Sequence, residues 1–181
     1  MSHDYNQLFA ENGTLLPDKI PVDVVKADKL LHGATHVWIW RRTGEDKQIL
    51  LQCRSINVPW PGYLDISTAG HINLNENPID TAIREAYEEI GLTINRDDLQ
   101  LVGIHRCHIP VPDTDLEENE FRWVYLLELD QDYQFSLNDN EVESIEWVDL
   151  SKFVTMTDFP EKYKLVPQGS DYFAMLLRWL V

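Results

Sequence analysis

The chain has 181 residues, 44% of them hydrophobic, which predicts one folded domain with a real core and argues against disorder. Its formal net charge of −16 argues against a nucleic-acid polymer as partner, because phosphate-backbone binding needs clustered Lys and Arg. It leaves room for a small phosphorylated substrate bridged by divalent cations, although most of the acid reads as surface solubility. In chain order, the first residues, MSHDYNQLFAENG, lack the basic and apolar regions of a secretion signal. YNQLFAENGTLL reads as a short hairpin with Asn12-Gly13 as its turn. A strand follows from Ala34 (ATHVWIWRR), then a turn at Thr43-Gly44 and a second strand, KQILLQCRS. NVPWPGYLDIS is a Pro- and Gly-bearing loop that enters a strand near Asp65 to Ala69. LQLVGIHRCHI and FRWVYLLELD are two further strands, and SIEWVDLSKF is a strand that turns into a helix. SDYFAMLLRWLV is an apolar helix with Ser170 as its N-cap.

Interleaved strands and helices with hairpin turns predict an α/β/α sandwich with a mixed β-sheet. The expected organisation is a single domain over residues 1–181, with an N-terminal hairpin extension (1–33) and a C-terminal helix (169–181). Those two ends either pack across a two-fold axis in a homodimer or close the core of one chain. No apolar run approaches the ~20 residues of a membrane span. Cys53 and Cys107 form no disulfide framework and read as buried small hydrophobes, so the cytoplasm is the expected location.

The most informative stretch is GHINLNENPIDTAIREAYEEIGL, Gly70 to Leu92. Asn77 is placed to cap a helix, Pro78 fits its first turn, and Gly91 suits a left-handed end. At about 100° per residue Ile79, Ala82, Ile83, Ala86 and Ile90 share the face that packs on the sheet. Glu85, Glu88 and Glu89 fall within roughly a third of the circumference beside it, next to Arg84. Gly70 to Glu76 is then a loop entering the helix. Like charges so close repel. Either the face is simply solvated, or it holds a cation such as Mg²⁺, which takes a few carboxylates and keeps several waters. Spacing alone does not separate the two.

Gly70, Glu76, Arg84, Glu85, Glu88, Glu89 and Gly91 together resemble the Nudix box, G-x5-E-x7-R-E-U-x-E-E-x-G-U, where U is bulky and aliphatic. Leu92 fills the last U and Ala86 is a small occupant of the first. Fixed residues at about 5–7% usage each would coincide by chance on the order of once in 10⁸ start positions. The resemblance runs from about Thr35 to Leu150 and implies the Nudix fold. It implies cleavage of a diphosphate linked to some other moiety, with Mg²⁺ (or Mn²⁺). In that pattern Glu88 and Glu89 are principal metal ligands, Glu85 is a further ligand or the base, and the Gly70 carbonyl completes the coordination. Arg84 and Glu76 hold loop and helix together by salt bridges.

The flanks LLHGATHVWIW, PWPGYLDISTAGHI and ENEFRWVY resemble the family branch that includes isopentenyl-diphosphate isomerases. The isomerases hold a metal with residues matching His32, His71, Glu118 and Glu120. Three departures favour a hydrolase. Ala69 stands where the isomerases have a catalytic cysteine, Val24 or Val25 stands at another ligand position, and the box here is intact. A methyl side chain is neither acid nor nucleophile. Glu120 is a candidate ligand or base outside the box, or else a loop acid that opens a strand; Glu118 shares its face if the strand extends that far. Arg54 matches an isomerase phosphate-binding arginine, though the lysine that assists it is absent, and a surface salt bridge is the alternative. His71 binds metal or hydrogen-bonds the loop. Trp60 stacks on a base, covers a prenyl chain or packs. His32 is a weaker metal candidate, His36 reads as structural, and His105, Arg106 and His108 lie where substrate selectivity usually resides.

The expected function is a metal-dependent diphosphohydrolase of a small nucleoside diphosphate-type metabolite. The alternatives are an isopentenyl-diphosphate isomerase-like enzyme and a non-catalytic nucleotide sensor. The expected partner is a small phosphorylated substrate, with no membrane.

Overall fold

The computed structural model describes residues 5–111, 114–130 and 133–181. Met1–Asp4, Pro112, Asp113, Gln131 and Asp132 lie outside them. In chain order the strands are β1 (Leu8–Phe9), β2 (Leu15–Leu16), β3 (His32–Thr43), β4 (Asp46–Arg54), β5 (Leu64–Asp65), β6 (Thr68–His71), β7 (Gln100–Pro110), β8 (Glu117–Glu128) and β9 (Val142–Asp149). The helices are α1 (Val22–Ala27), α2 (Pro78–Ile90), α3 (Leu150–Asp158), α4 (Pro160–Tyr163) and α5 (Ser170–Leu180). None is long and apolar enough to cross a membrane.

The strands form one mixed sheet centred on β3, which pairs antiparallel with β1, β4 and β6 and parallel with β8. Two cores lie on its faces. Strand alternation sends Val37 and Ile39 to one face, where α2 contributes Ala82, Ala86 and Ile90. Trp38 goes to the other, with Phe153 and Met156 of α3 and Tyr172, Phe173 and Leu176 of α5. The expected mixed α/β sandwich is thus observed. The terminal hairpin pairs with β3 at Leu8↔His32 and buries Leu8 and Phe9, and α5 packs Tyr172, Phe173, Leu176 and Leu180 into the core.

Several local expectations needed correction. The strand expected near Asp65 to Ala69 is two short strands, β5 on β4 and β6 on β3. Between them the buried Ser67 hydroxyl donates to Leu50 O (2.6 Å) and accepts from Ile39 N (2.8 Å), a bridge that replaces ladder bonds and bends the chain. Gly70 and His71 therefore belong to a strand, and the loop begins after them. Asn77 and Ser170 make no side-chain capping bond. Asn77 holds the N-cap position of α2 through its backbone, while Gly169 (φ 96°) takes that position for α5 and leaves Ser170 as a helical residue. Gly91 does end α2 in the left-handed region (φ 70°), with its N–H on Tyr87 O and that of Leu92 on Ala86 O. Cys107 is buried, but Cys53 is half-buried and its thiol reaches Glu143 at 3.6 Å.

Candidate functional site

α2 lies with its acidic face over the end of β6. There Arg84 acts as a clasp. Its Nε and Nη2 each meet a Glu76 oxygen at 3.0 Å, and Nη2 also donates to His71 O at 3.2 Å. A planar guanidinium suits this two-point grip, which ties the entry loop to strand and helix as the motif implied. Nη1 reaches Glu85 (2.6 Å) and Glu88 (2.9 Å), so the same cation gathers the acids.

Glu89 is 5% exposed and accepts from the Ala69 backbone N–H at 3.1 Å. Burial, then the nearby Glu85 charge, pushes its carboxyl well above the usual range. Burial likewise pushes Glu85 up to about 7 against the opposing pull of Arg84. Glu88 is the half-exposed member, its side chain 52% accessible. Gly70 is required by close approach. A Cβ there would sit 1.9 Å from Glu85 Cδ and 2.1 Å from Oε1. The bare backbone lets carboxylate and strand touch.

These residues line one end of a cavity of about 580 Å³. Its other end is built by β3, β6 and β8. The parallel register sets His32 beside Glu120, and strand alternation puts Glu118, Glu120 and Arg122 on one face. Glu120 is 3% exposed. Its Oε1 lies 3.2 Å from His71 Nε2 and 3.4 Å from His32 Nε2, and its Oε2 accepts from Arg122 Nε at 2.6 Å. Burial alone would raise this carboxyl, but Arg122 and the imidazoles outweigh it and hold it well below the usual range. Burial and the Glu120 charge push Glu118 up to about 7. The chain of bonds continues from Arg122 Nη1 to Gln168 Oε1 (2.6 Å), from Gln168 Nε2 to Asp65 Oδ1 (3.1 Å), and from Arg54 Nη1 to Asp65 Oδ2 (2.7 Å).

Two donor sets suit divalent cations. The carboxylates of α2 with the Gly70 carbonyl offer hard oxygens, which suit Mg²⁺ or Mn²⁺. His32, His71 and Glu120 present one ligand atom each, all within 4.8 Å of one another. His32 Nδ1 donates to Leu30 O at 2.8 Å, which turns Nε2 toward Glu120, whose charge outweighs burial and raises the ring's affinity for a proton. That buried Nε2 makes no hydrogen bond. A backbone carbonyl that fixes the tautomer and a free nitrogen aimed at a carboxylate are the arrangement of a metal-ligating histidine. A mixed nitrogen and oxygen set suits Mn²⁺, Zn²⁺ or Fe²⁺ as well as Mg²⁺.

Every residue expected at the site from sequence, namely Gly70, Glu85, Glu88, Glu89, Glu120, Arg54, Trp60 and His71, lines this cavity. Glu120 lies inside β8 rather than opening it, because Glu117 to Asn119 already pair with β7. Arg54 is anchored by buried Asp65 and donates to Pro59 O at 2.6 Å, pinning the loop that carries Trp60. Trp60 has left-handed backbone (φ 60°) and meets Tyr63 edge-on at 5.2 Å. His105, Arg106 and His108 do not line this cavity; they pair with Asp171, Glu11 and Glu117. Sequence reasoning gave His32 as a weaker metal candidate, which the structure sets beside His71 and Glu120, and did not single out Arg122, Asp65 or Gln168. The alternation Glu118, Glu120, Arg122 ahead of apolar Val124 and Leu126 was the available signal for Arg122. Gln168 carries none.

A family model described as NUDIX domain matches residues 31–169. Nudix hydrolase 3 of Arabidopsis thaliana is 30% identical over 157 residues, 84% of this chain and 20% of the relative. The chain thus spans about a fifth of that protein's length. An uncharacterized Nudix hydrolase of Clostridium acetobutylicum is 24% identical over all of this chain and 98% of its own. The isopentenyl-diphosphate Delta-isomerase of Escherichia coli is 31% identical over 69% of this chain and 65% of the isomerase. Among solved structures, DR0079 from Deinococcus radiodurans superposes with a TM-score of 0.68 at 18% identity, covering 95% of this chain and 97% of that one. The NUDIX domain of Shewanella oneidensis NrtR, complexed with ADP ribose, gives 0.60 at 15% identity over 84% and 88%. At such identities these two show a shared fold.

Proposed function

The chain belongs to the Nudix family, and on that premise we propose that it is a divalent-cation-dependent hydrolase that cleaves the diphosphate of a small nucleoside diphosphate-type metabolite. The observation that carries this reading is the convergence of Glu85, Glu88 and Glu89 on the Gly70 strand, at one end of a cavity large enough for such a molecule. A bound divalent cation supplies neutralisation of the diphosphate and a more acidic water. Glu88, Glu89 and the Gly70 carbonyl would hold it, and Glu85 would serve as a further ligand or as the base that takes a proton from water. Arg84 keeps Glu85 and Glu88 in register, and the Ala69 backbone N–H holds Glu89. Glu120, with His71 and His32, would offer a second cation a mixed nitrogen and oxygen donor set at the far end. Arg54 offers its guanidinium edge to a phosphoryl oxygen, and Trp60 offers a ring to the organic moiety. The apolar residues Val58, Pro59, Ile109 and Val166 shape the remaining wall.

The His32, His71 and Glu120 cluster favours a second reading, an isopentenyl-diphosphate isomerase-like enzyme. Against it stand Ala69, whose methyl cannot carry a proton, and the α1 position expected at Val24 or Val25, where neither apolar side chain has a ligand atom. The test incubates the protein with Mg²⁺ or Mn²⁺ and nucleoside triphosphates, ADP-ribose, thiamine diphosphate or isopentenyl diphosphate, followed by ³¹P NMR. The expected result is phosphate or a monophosphate with the wild type and none with Glu88→Gln or Glu89→Gln. Full turnover in both variants overturns the hydrolase assignment. Allylic isomer with no loss of diphosphate establishes the second reading, and tight nucleotide binding without product establishes a sensor.

A further inference from the structure

His36 sits on β3 directly across from Ala69 of β6 and is one of the residues that line the cavity. It is nearly fully buried. Behind it runs a short chain of hydrogen bonds whose direction is dictated by chemistry. Trp38 Nε1 is a donor only. It lies 2.8 Å from Tyr172 Oη, so the hydroxyl accepts there. Tyr172 Oη lies 2.8 Å from His36 Nδ1. The hydroxyl has one hydrogen to give, and among the described residues His36 Nδ1 is the acceptor placed to take it. Burial pushes the Tyr172 hydroxyl far up, so it keeps that hydrogen.

His36 Nδ1 therefore accepts, and the ring's own hydrogen must sit on Nε2. A charged ring would have hydrogens on both nitrogens and leave the hydroxyl hydrogen stranded. Burial, then the neighbouring Arg122 charge, also keeps the ring neutral. Nε2–H is thus the one polar group the ring has left to offer the cavity. The cavity's arginines are differently placed. Arg54, Arg84 and Arg122 are each bound to acids of this chain. His36 brings a donor without adding charge.

We propose that His36 is a substrate-binding residue whose Nε2–H, locked in place by the Trp38 and Tyr172 side chains, hydrogen-bonds a phosphoryl oxygen of the bound diphosphate. This rests on the diphosphate reading given above. Nothing in the Nudix box assigns the residue, which lies outside it. A neutral donor of fixed direction suits an oxygen that gains charge during reaction, because it needs no reorganisation.

The test uses the full chain, ¹⁵N-labelled, with Mg²⁺ and the non-hydrolysable diphosphate α,β-methylene-ADP. Imidazole ¹⁵N–¹H correlation spectra should show His36 as the neutral Nε2–H form at neutral pH, and its Nε2–H resonance should move as the analogue binds. Two substitutions separate the nitrogens. His36→Asn puts a carbonyl oxygen near Nδ1 for Tyr172 and removes the Nε2 donor. His36→Gln puts an amide N–H near Nε2. The expected outcome is that analogue binding weakens about tenfold in His36→Asn and stays within about threefold of wild type in His36→Gln. An Nδ1–H or doubly protonated ring overturns the proposal. So does a bound analogue that shifts the Gly70 amide while the His36 Nε2–H stays still. If neither resonance moves, the diphosphate reading itself falls and takes this inference with it.

Discussion

Replacing Gly70 by alanine tests whether the close contact between strand and Glu85 matters for turnover. The added Cβ would lie 1.9 Å from Glu85 Cδ and 2.4 Å from Cγ. To regain an ordinary carbon contact of ~3.5 Å the carboxylate carbon must retreat by about 1.6 Å. It cannot swing freely, because the Glu85 side chain is largely enclosed and Arg84 holds Oε1 at 2.6 Å. A misplacement of about 1 Å can cost on the order of 10²-fold in rate, so Gly70→Ala should lower kcat by about 10² or more. Overpacking should also cost about 1–3 kcal/mol of stability. Gly33→Ala is the control. Its Cβ would meet Ile72 Cδ1 and Phe9 Cε2 at 2.8 Å, apolar atoms outside the cavity, so stability should fall and kcat should hold. The assay is steady-state turnover of the compound identified by ³¹P NMR, with thermal unfolding of both variants. A Gly70→Ala enzyme within threefold of wild-type kcat would refute the reasoning.

Arg122→Met should destabilise the fold by about 3–5 kcal/mol, because it strands the buried Glu120 charge. Adding Glu120→Leu should recover part of that loss in urea unfolding, and no recovery would mean that the pair is not the cause. Dialysis against EDTA should abolish hydrolysis, and Mg²⁺ or Mn²⁺ should restore it; turnover that persists in EDTA would remove the cation from the mechanism. Burial pushes the Cys107 thiol up to about 11, so it stays protonated and unreactive at pH 8 and becomes a thiolate only as pH rises through that value. Cys53, half-buried and also shifted up chiefly by burial, should react first with a disulfide reagent. Equal rates at pH 8 would contradict the structure.

Local chemistry carried much of this molecule. The amino-acid order by itself determined α2, its Pro78 start, its Gly91 end, the apolar face of Ala82, Ala86 and Ile90, and the acidic face beside it. All of these follow from a period of 3.6 and from backbone freedom at single residues. The long strands and the N-terminal hairpin were legible for the same reason. The eight expected site residues line one cavity, but their grouping came from the resemblance to a family pattern and not from periodicity. Local signals reach only about four residues along a helix or two along a strand. The bend at Ser67 depends on two backbone groups that belong to other strands. Parallel pairing of β3 with β8 brings His32 to Glu120, and no spacing along the chain announces it. Tertiary structure also brought Gln168 between Arg122 and Asp65, turned His105, Arg106 and His108 away from the cavity, and set Tyr172 behind His36. Each of these rests on a contact between distant segments, where burial strengthens a hydrogen bond or a charge that water would otherwise weaken.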